Sequence, residues 1–152
     1  MSRLTIRLAE AADVPRVEAC ARAAYAPYVS RIGREPAPMV ADFDTAVGAR
    51  QVHVAGVGTE PFLGYIVFFP SGSHMALGNV AVFPEATGRG IGKALISHCE
   101  HCARQAGLRA VQLYTNAKMT ENLGLYPALG YREIDRRVED GFDRVFFEKT
   151  LP

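Results

Sequence analysis

Apolar and polar residues alternate along this chain with two distinct periods, and the switches between them outline its elements. Arg3 to Leu8 alternates residue by residue, as a half-buried strand does, and Asp13 then offers an N-cap with Pro15 in the first turn of a helix running to about Tyr25. Gln51 to Val57 and Phe62 to Phe69 are β-branched and aromatic runs separated by Gly58-Thr59-Glu60-Pro61, which reads as a hairpin with a four-residue connection. A third run, Met75 to Phe83, follows Ser71-Gly72-Ser73 and ends at Pro84, because proline lacks the ladder donor. Helical spacing returns at Ile91, Leu95, Cys99, Cys102 and Ala106, with Gly107 as the stop. Ala110 to Thr115 is then a strand and Met119 to Leu129 a helix stopped by Gly130. Tyr131 to Val138 and Arg144 to Glu148 close the chain as two strands around Asp140-Gly141.

The order is βα, room for a short helix, then βββαβαββ. Strands and helices mixed in this way predict a three-layer α/β sheet with parallel pairing at the βαβ crossover. At 152 residues the chain has the commonest size of a single domain, so residues 1–152 are expected to form one. The one notable loop-like stretch is GREPAP, Gly33 to Pro38, where two prolines interrupt any regular element.

Charge narrows the partners. With 17 basic against 16 acidic residues there is no field to hold nucleic acid or an anionic membrane, which leaves a small molecule or a local peptide. No segment approaches the roughly 20 apolar residues of a membrane span, and the opening MSRLTIRLAEAADVP has no long apolar run, so a cytoplasmic protein is expected. Three cysteines, an odd number, read as thiols in a reducing compartment.

The candidate chemistry lies in VAVFPEATGRGIGKAL, which places Gly88, Gly90 and Gly92 between a strand and a helix. A helix start carries unpartnered N–H groups and a partial positive charge, and glycines let a ligand reach the backbone, so a diphosphate is well matched. Arg89 and Lys93 add charge at the mouth. Two other phosphate motifs fail on named residues. Aligned on Gly92-Lys93, the P-loop needs glycine where Thr87 stands and Ser or Thr where Ala94 stands. The dinucleotide fingerprint needs glycine at Lys93 or Leu95, according to register. A glycine-rich turn without a ligand is the bland alternative.

TGRGIG resembles the acetyl-CoA pyrophosphate loop of the GNAT superfamily of N-acetyltransferases: Arg or Gln, two residues, Gly, any residue, then Gly or Ala. Thr87 departs from the first position, which removes a long side chain but leaves the backbone amides. VAVFP resembles the family's fourth strand, and TNAKMTENLGLYPALGYRE its later strand, helix and Leu-Gly-aromatic corner. The resemblance implies a GNAT-like acyl-CoA acyltransferase fold and a loop of Thr87, Gly88, Arg89, Gly90, Ile91, Gly92 and Lys93 around the pyrophosphate. It further implies that the backbone of Ala81 and Val82 pairs with the pantetheine arm as another strand would, that Asn116 and Asn122 lie near the pantetheine or ribose, and that Tyr126 is the general acid. The family's usual Asn seven positions before that Tyr is Met119 here. Without the resemblance, Tyr126 reads as a core tyrosine tying helix to sheet.

His98-Cys99-Glu100-His101-Cys102 contains CxxC, but it lies about two turns inside a helix rather than at a helix start, and no second ligand cluster accompanies it. Cys99 and Cys102 therefore read as small core-facing residues, with no metal. Tyr25, Tyr28, Arg31, Arg34 and Glu35 gather where the resemblance places the acceptor wall, so the arginines are candidates for holding a carboxylate or phosphate of the substrate. Glu35, Asp42, His74 and a water held by Asn79 all stand open as the general base. The expected activity is direct attack of a neutral amine on acetyl-CoA in a ternary complex, the amine belonging to a small molecule or peptide. A non-catalytic acyl-CoA sensor and, more distantly, a nucleotide-binding module are the alternatives. Oligomeric state is open, a homodimer included.

Overall fold

A computed structural model describes residues 3–152. Seven strands form one sheet: β1 (Leu4–Leu8), β2 (Val52–Val57), β3 (Glu60–Ser71), β4 (His74–Val82), β5 (Ala110–Asn116), β6 (Arg132–Glu139) and β7 (Phe142–Thr150). Their order is β1-β2-β3-β4-β5-β7-β6, with only β4 and β5 parallel. The helices are α1 (Val14–Tyr25), α2 (Val29–Ile32), α3 (Phe43–Gly48), α4 (Ile91–Gln105) and α5 (Thr120–Ala128). The predicted mixed three-layer α/β class is the observed one.

The sheet has a core on each face. Val17, Cys20 and Ala21 of α1 with Phe43 and Val47 of α3 cover one face, over Val54, Tyr65 and Val67. On the other, Leu95, Ile96, Cys99 and Ala103 of α4 cover Ile66, Phe68, Leu77 and Val111. Consecutive residues of β3 thus belong to opposite cores, which is why that segment reads as an unbroken apolar run.

Some local expectations change. The β2–β3 hairpin turns on Gly58-Thr59 alone, since Val57 already pairs with Glu60, and Pro61 is tolerated because it lies in a bulged stretch, Pro61 to Leu63 facing Gly56 alone. Asp13 precedes α1, but its carboxylate does not cap that helix. It accepts from the Glu10 N–H at 2.7 Å and pairs with Arg7 at 2.8 Å. On α4 the expected Ile91, Leu95 and Cys99 are buried, but beyond them the inward positions are Glu100 and Ala103, with Cys102 half-buried and Ala106 exposed. Glu100 is buried because its two oxygens accept from Tyr131 Oη at 2.9 Å and Lys149 Nζ at 3.0 Å, tying α4 to β7 and to the residue just before β6.

Candidate active site

The parallel seam between β4 and β5 is short. Only His74 to Leu77 pair with Ala110 to Leu113; beyond them β4 runs on to Val82 and β5 to Asn116 without meeting. The divergence begins where Gly78 is the extra residue of a bulge, Leu77 and Asn79 facing the successive β3 residues Phe68 and Val67. Two cavities open on either side of the gap and share Tyr25, Val80, Met119, Asn122 and Tyr126 as walls.

The larger cavity, about 730 Å³, runs to the glycine-rich loop and is lined there by Thr87, Gly88, Gly90, Ile91, Gly92 and Lys93. Gly88 (φ 83°) and Gly90 (φ 78°) lie in the left-handed region, where a side chain is strained. Gly90 sits at the N-cap of α4. Ala94 N–H is the first in the helix to reach a carbonyl, that of Gly90 at 3.0 Å, so the amides of Ile91, Gly92 and Lys93 have no intrahelical acceptor. Thr87 Oγ1 donates to the Pro84 carbonyl at 2.8 Å and fixes the loop. Arg89 does not line the cavity; its guanidinium reaches Glu60 at 3.5 Å.

Strand β4 offers alternate backbone groups to the gap. Phe83 N–H donates to Leu63 O on β3 at 2.9 Å and Tyr25 Oη donates to Val80 O at 3.1 Å. Alternation between these anchors turns Val80 and Val82 toward the gap and Ala81 toward Tyr65 of β3. Ala81 and Val82, the expected pair, both line the larger cavity, but the backbone groups left free of β3 are those of Val80 and Val82, and the Val80 carbonyl is engaged by Tyr25.

The smaller cavity is walled by Pro36, Ala37 and Pro38, by Tyr114, Phe142 and Arg144, and by Asn79 and Asn116. Asn116, expected near the pantetheine or ribose, faces this side only, and its Oδ1 accepts from Lys118 N–H at 2.9 Å in the turn after β5. Asn122 borders both cavities with its Nδ2 held by Thr115 Oγ1 at 3.1 Å. Of the four general-base candidates only Asn79 lines the cleft. Asp42 caps α3 by accepting from Thr45 N–H at 3.1 Å, His74 pairs with Ala110 at the closed end of the seam, and Glu35 is exposed outside both cavities.

Tyr126 stands between the cavities. Its carbonyl accepts from Leu129 and Tyr131 N–H at 3.0 Å each, and its ring packs against Tyr131 and Phe147 at 5.9 and 5.8 Å. The hydroxyl has no hydrogen-bond partner among the described residues, and burial pushes its pKa up to about 12. It is a core ring with a free, protonated tip.

The arginines expected to hold the acceptor are already engaged. Arg31 Nη1 pairs with Glu121 Oε1 at 2.6 Å while Tyr28 Oη donates to Glu121 Oε2 at 3.0 Å, and the Arg31 hydrogen bond is the main reason the Glu121 carboxyl drops to about 2. Arg34 stacks on Phe142 at 3.6 Å and donates to the Asp140 carbonyl. Arg144, on β7, was not legible in the sequence as a site residue; nothing marks it locally. Val80 was within reach through strand alternation alone. Cys20, Cys99 and Cys102 are free, and Cys102 lies 3.6 Å from His98 Nε2. Among the described residues no group of three or more His, Cys, Asp or Glu is placed to hold a metal ion, and no helix is long and apolar enough to cross a membrane.

Sheet order, bulge and paired cavities define the class: a mixed α/β protein with a cleft running through the splay of its two parallel strands. The profile of the Acetyltransferase (GNAT) family matches residues 18–131, and the chain belongs to that family. Mycothiol acetyltransferases of Pseudarthrobacter chlorophenolicus (strain A6) and Arthrobacter sp. (strain FB24) are 44% and 42% identical to it over 73 residues, which is 46% of this chain and 23% of theirs. The chain thus spans about a quarter of the length of the curated relatives it matches. Among solved structures, the ribosomal-protein-S18-alanine N-acetyltransferase of Escherichia coli superposes with a TM-score of 0.78 at 20% identity, covering 98% of this chain and 94% of that one. The PaiA N-acetyltransferase of Thermoplasma acidophilum, solved in complex with coenzyme A, gives 0.79 at 18% identity, covering 98% and 99%. At these identities the likeness is one of fold.

Proposed function

We propose that residues 1–152 act as one acetyltransferase domain that transfers the acetyl group of acetyl-CoA to a primary amine by direct attack in a ternary complex. The observation that carries this is the shared wall: Tyr126 separates a cavity that ends on unpartnered helix amides from a second, smaller cavity. The amides of Ile91, Gly92 and Lys93 suit a pyrophosphate, with Lys93 adding charge, and the Val82 backbone suits a pantetheine amide. The acceptor amine then enters from the Asn79 side.

The reaction needs a neutral amine whose lone pair forms a C–N bond to the acetyl carbonyl while the C–S bond breaks. The amine loses a proton and the sulfur gains one, giving the acetamide and free CoA thiol. Tyr126, protonated throughout the neutral range, supplies the sulfur's proton or hydrogen bond. Asn79 is the lining residue placed to hold the amine or a water that relays its proton. The three free cysteines fit action in a reducing compartment such as the cytoplasm.

Two measurements test the reading. Acetyl-CoA at about 100 times its Kd stabilises the fold by about 2.7 kcal/mol, which raises Tm by about 5–10 °C for a domain of this size. Thiol release from acetyl-CoA across a broad amine panel, with mass spectrometry of the product, shows the transfer itself. Binding without transfer to any amine would instead favour a non-catalytic acyl-CoA sensor, and a melting curve shifted by ATP but not by CoA would reject the cosubstrate.

A further inference from the structure

We infer that the acceptor is a small primary amine that also bears a carboxylate, held through that carboxylate by Arg144. The inference rests on the amine-acetylation reading above and names its substrate class.

Arg144 projects from β7 into the acceptor-side cavity, and its side chain keeps only 11% of its surface in solvent. Its guanidinium lies over the Tyr114 ring at 4.4 Å and near Phe142 at 5.3 Å, so its plane is fixed by aromatic walls that also line the cavity. Nη1 alone meets protein carboxylates, Glu139 at 3.3 Å and Asp140 at 3.9 Å. Nε and Nη2 make no hydrogen bond to any described residue, which leaves the edge that binds a carboxylate in a two-pronged way free.

The rest of the cavity fits the other half of such a molecule. Asn79 lines the cavity and its buried Oδ1 has no hydrogen-bond partner, so a turn of the amide toward the cavity would let it accept from an amine N–H while leaving the nitrogen lone pair free to attack. Among the described residues that line this cavity there is no Asp, Glu or Lys, so Arg144 is its one charged residue. A second ammonium group would meet no carboxylate among the described lining residues, only neutral groups and the Arg144 cation. The geometry therefore selects against polyamines and lysine side chains flanked by positive charge, and Pro36 to Pro38 limit the body of the acceptor to a small one. Arg31 and Arg34, the arginines expected from the sequence to hold the substrate's anion, are engaged by Glu121 and by Phe142 with the Asp140 carbonyl.

The test compares wild-type kcat/KM for free amino acids, their carboxamides, the corresponding decarboxylated amines, and linear polyamines, with the acetylated product identified by mass spectrometry. Amino acids are expected to exceed their carboxamides and decarboxylated amines by about 10- to 100-fold, the usual range for a hydrogen bond to a charged group. Arg144→Lys and Arg144→Gln should raise KM for the amino acid by a similar factor and abolish its preference over the carboxamide, with acetyl-CoA affinity retained. If either variant fails to fold, the wild-type panel decides alone. Polyamines or carboxamides turned over as well as the amino acids would overturn the inference and leave amine acetylation standing. Binding of acetyl-CoA without transfer to any member of the panel would remove both.

Discussion

Tyr126 is a residue whose two ends have different environments. Its ring is part of the core formed with Phe147 and Tyr131, and its hydroxyl is unpaired, so Tyr126→Phe removes no internal hydrogen bond and should leave Tm almost unchanged. The same change should lower kcat. A phenol raised to about 12 is a weaker acid than an ordinary tyrosine, and a thiolate leaves readily, so the loss should lie near the low end of the usual contribution, about 10²-fold. Steady-state kcat with one amine, beside acetyl-CoA affinity by titration, checks both halves; an unchanged kcat with chemistry rate-limiting would return Tyr126 to the core alone. His53 makes a second prediction at this scale. It stacks on Phe68 at 4.8 Å, its Nδ1 is buried without a partner, and burial, aided by His98, lowers its pKa to about 4. The unfolded chain then takes up a proton near pH 6.5 that the native state refuses until about 4. Its contribution is present above pH 6.5, falls as the pH drops toward 4, and levels off below. His53→Phe should flatten that part of the stability curve, as urea midpoints taken across pH 4–7 would show.

The start of α4 shows what an element adds to its residues. Three consecutive amides without acceptors cannot be altered by truncating a side chain, so Thr87→Ala should cost little acetyl-CoA affinity beyond the loosened Pro84 contact. Gly90→Val should cost at least about tenfold, because φ 78° disfavours a branched residue and the new side chain would stand where the cavity meets the helix. Isothermal titration of two folded variants decides it, and equal losses would move the binding from the backbone to the Thr87 hydroxyl. Much of this element was legible in advance because glycine and proline mark its limits: Pro84, Gly90 and Gly107 punctuate the chain where β4 ends and α4 begins and ends. Partners distant in sequence leave no such mark. Glu100 sits at a buried position that a charged residue ordinarily avoids, and only Tyr131 and Lys149, 31 and 49 residues away, make it acceptable. Arg144 likewise becomes a cavity wall through Tyr114, on a strand that joins it only in the folded sheet. The backbone choice of Val80 and Val82 over Ala81 depends on strand register, which side-chain pattern alone does not specify.

At the scale of the whole molecule, the sheet consists of two leaves. Strands β1 to β4 form one and β5 to β7 the other, and four residue pairs join them. Leu77 and Leu113 mark the end of that joint, and Val80 lies three residues beyond it, about 10 Å along the strand. A rotation of about 10° about so short a joint would move the mouth of the cleft by nearly 2 Å at that distance. Opposing such rotation, Tyr28 and Arg31 from the first leaf's helices grip Glu121 on α5 of the second. Glu121→Gln should therefore leave Tm nearly unchanged, since the pair is exposed, yet raise KM for acetyl-CoA and for the amine together. A KM effect confined to one substrate would mean that Glu121 touches that substrate directly. On the proposed reaction the grip would set the spacing of two surfaces that both meet the reacting groups, the span of the cleft then depending at its rim on a carboxylate and at its root on the length of a seam.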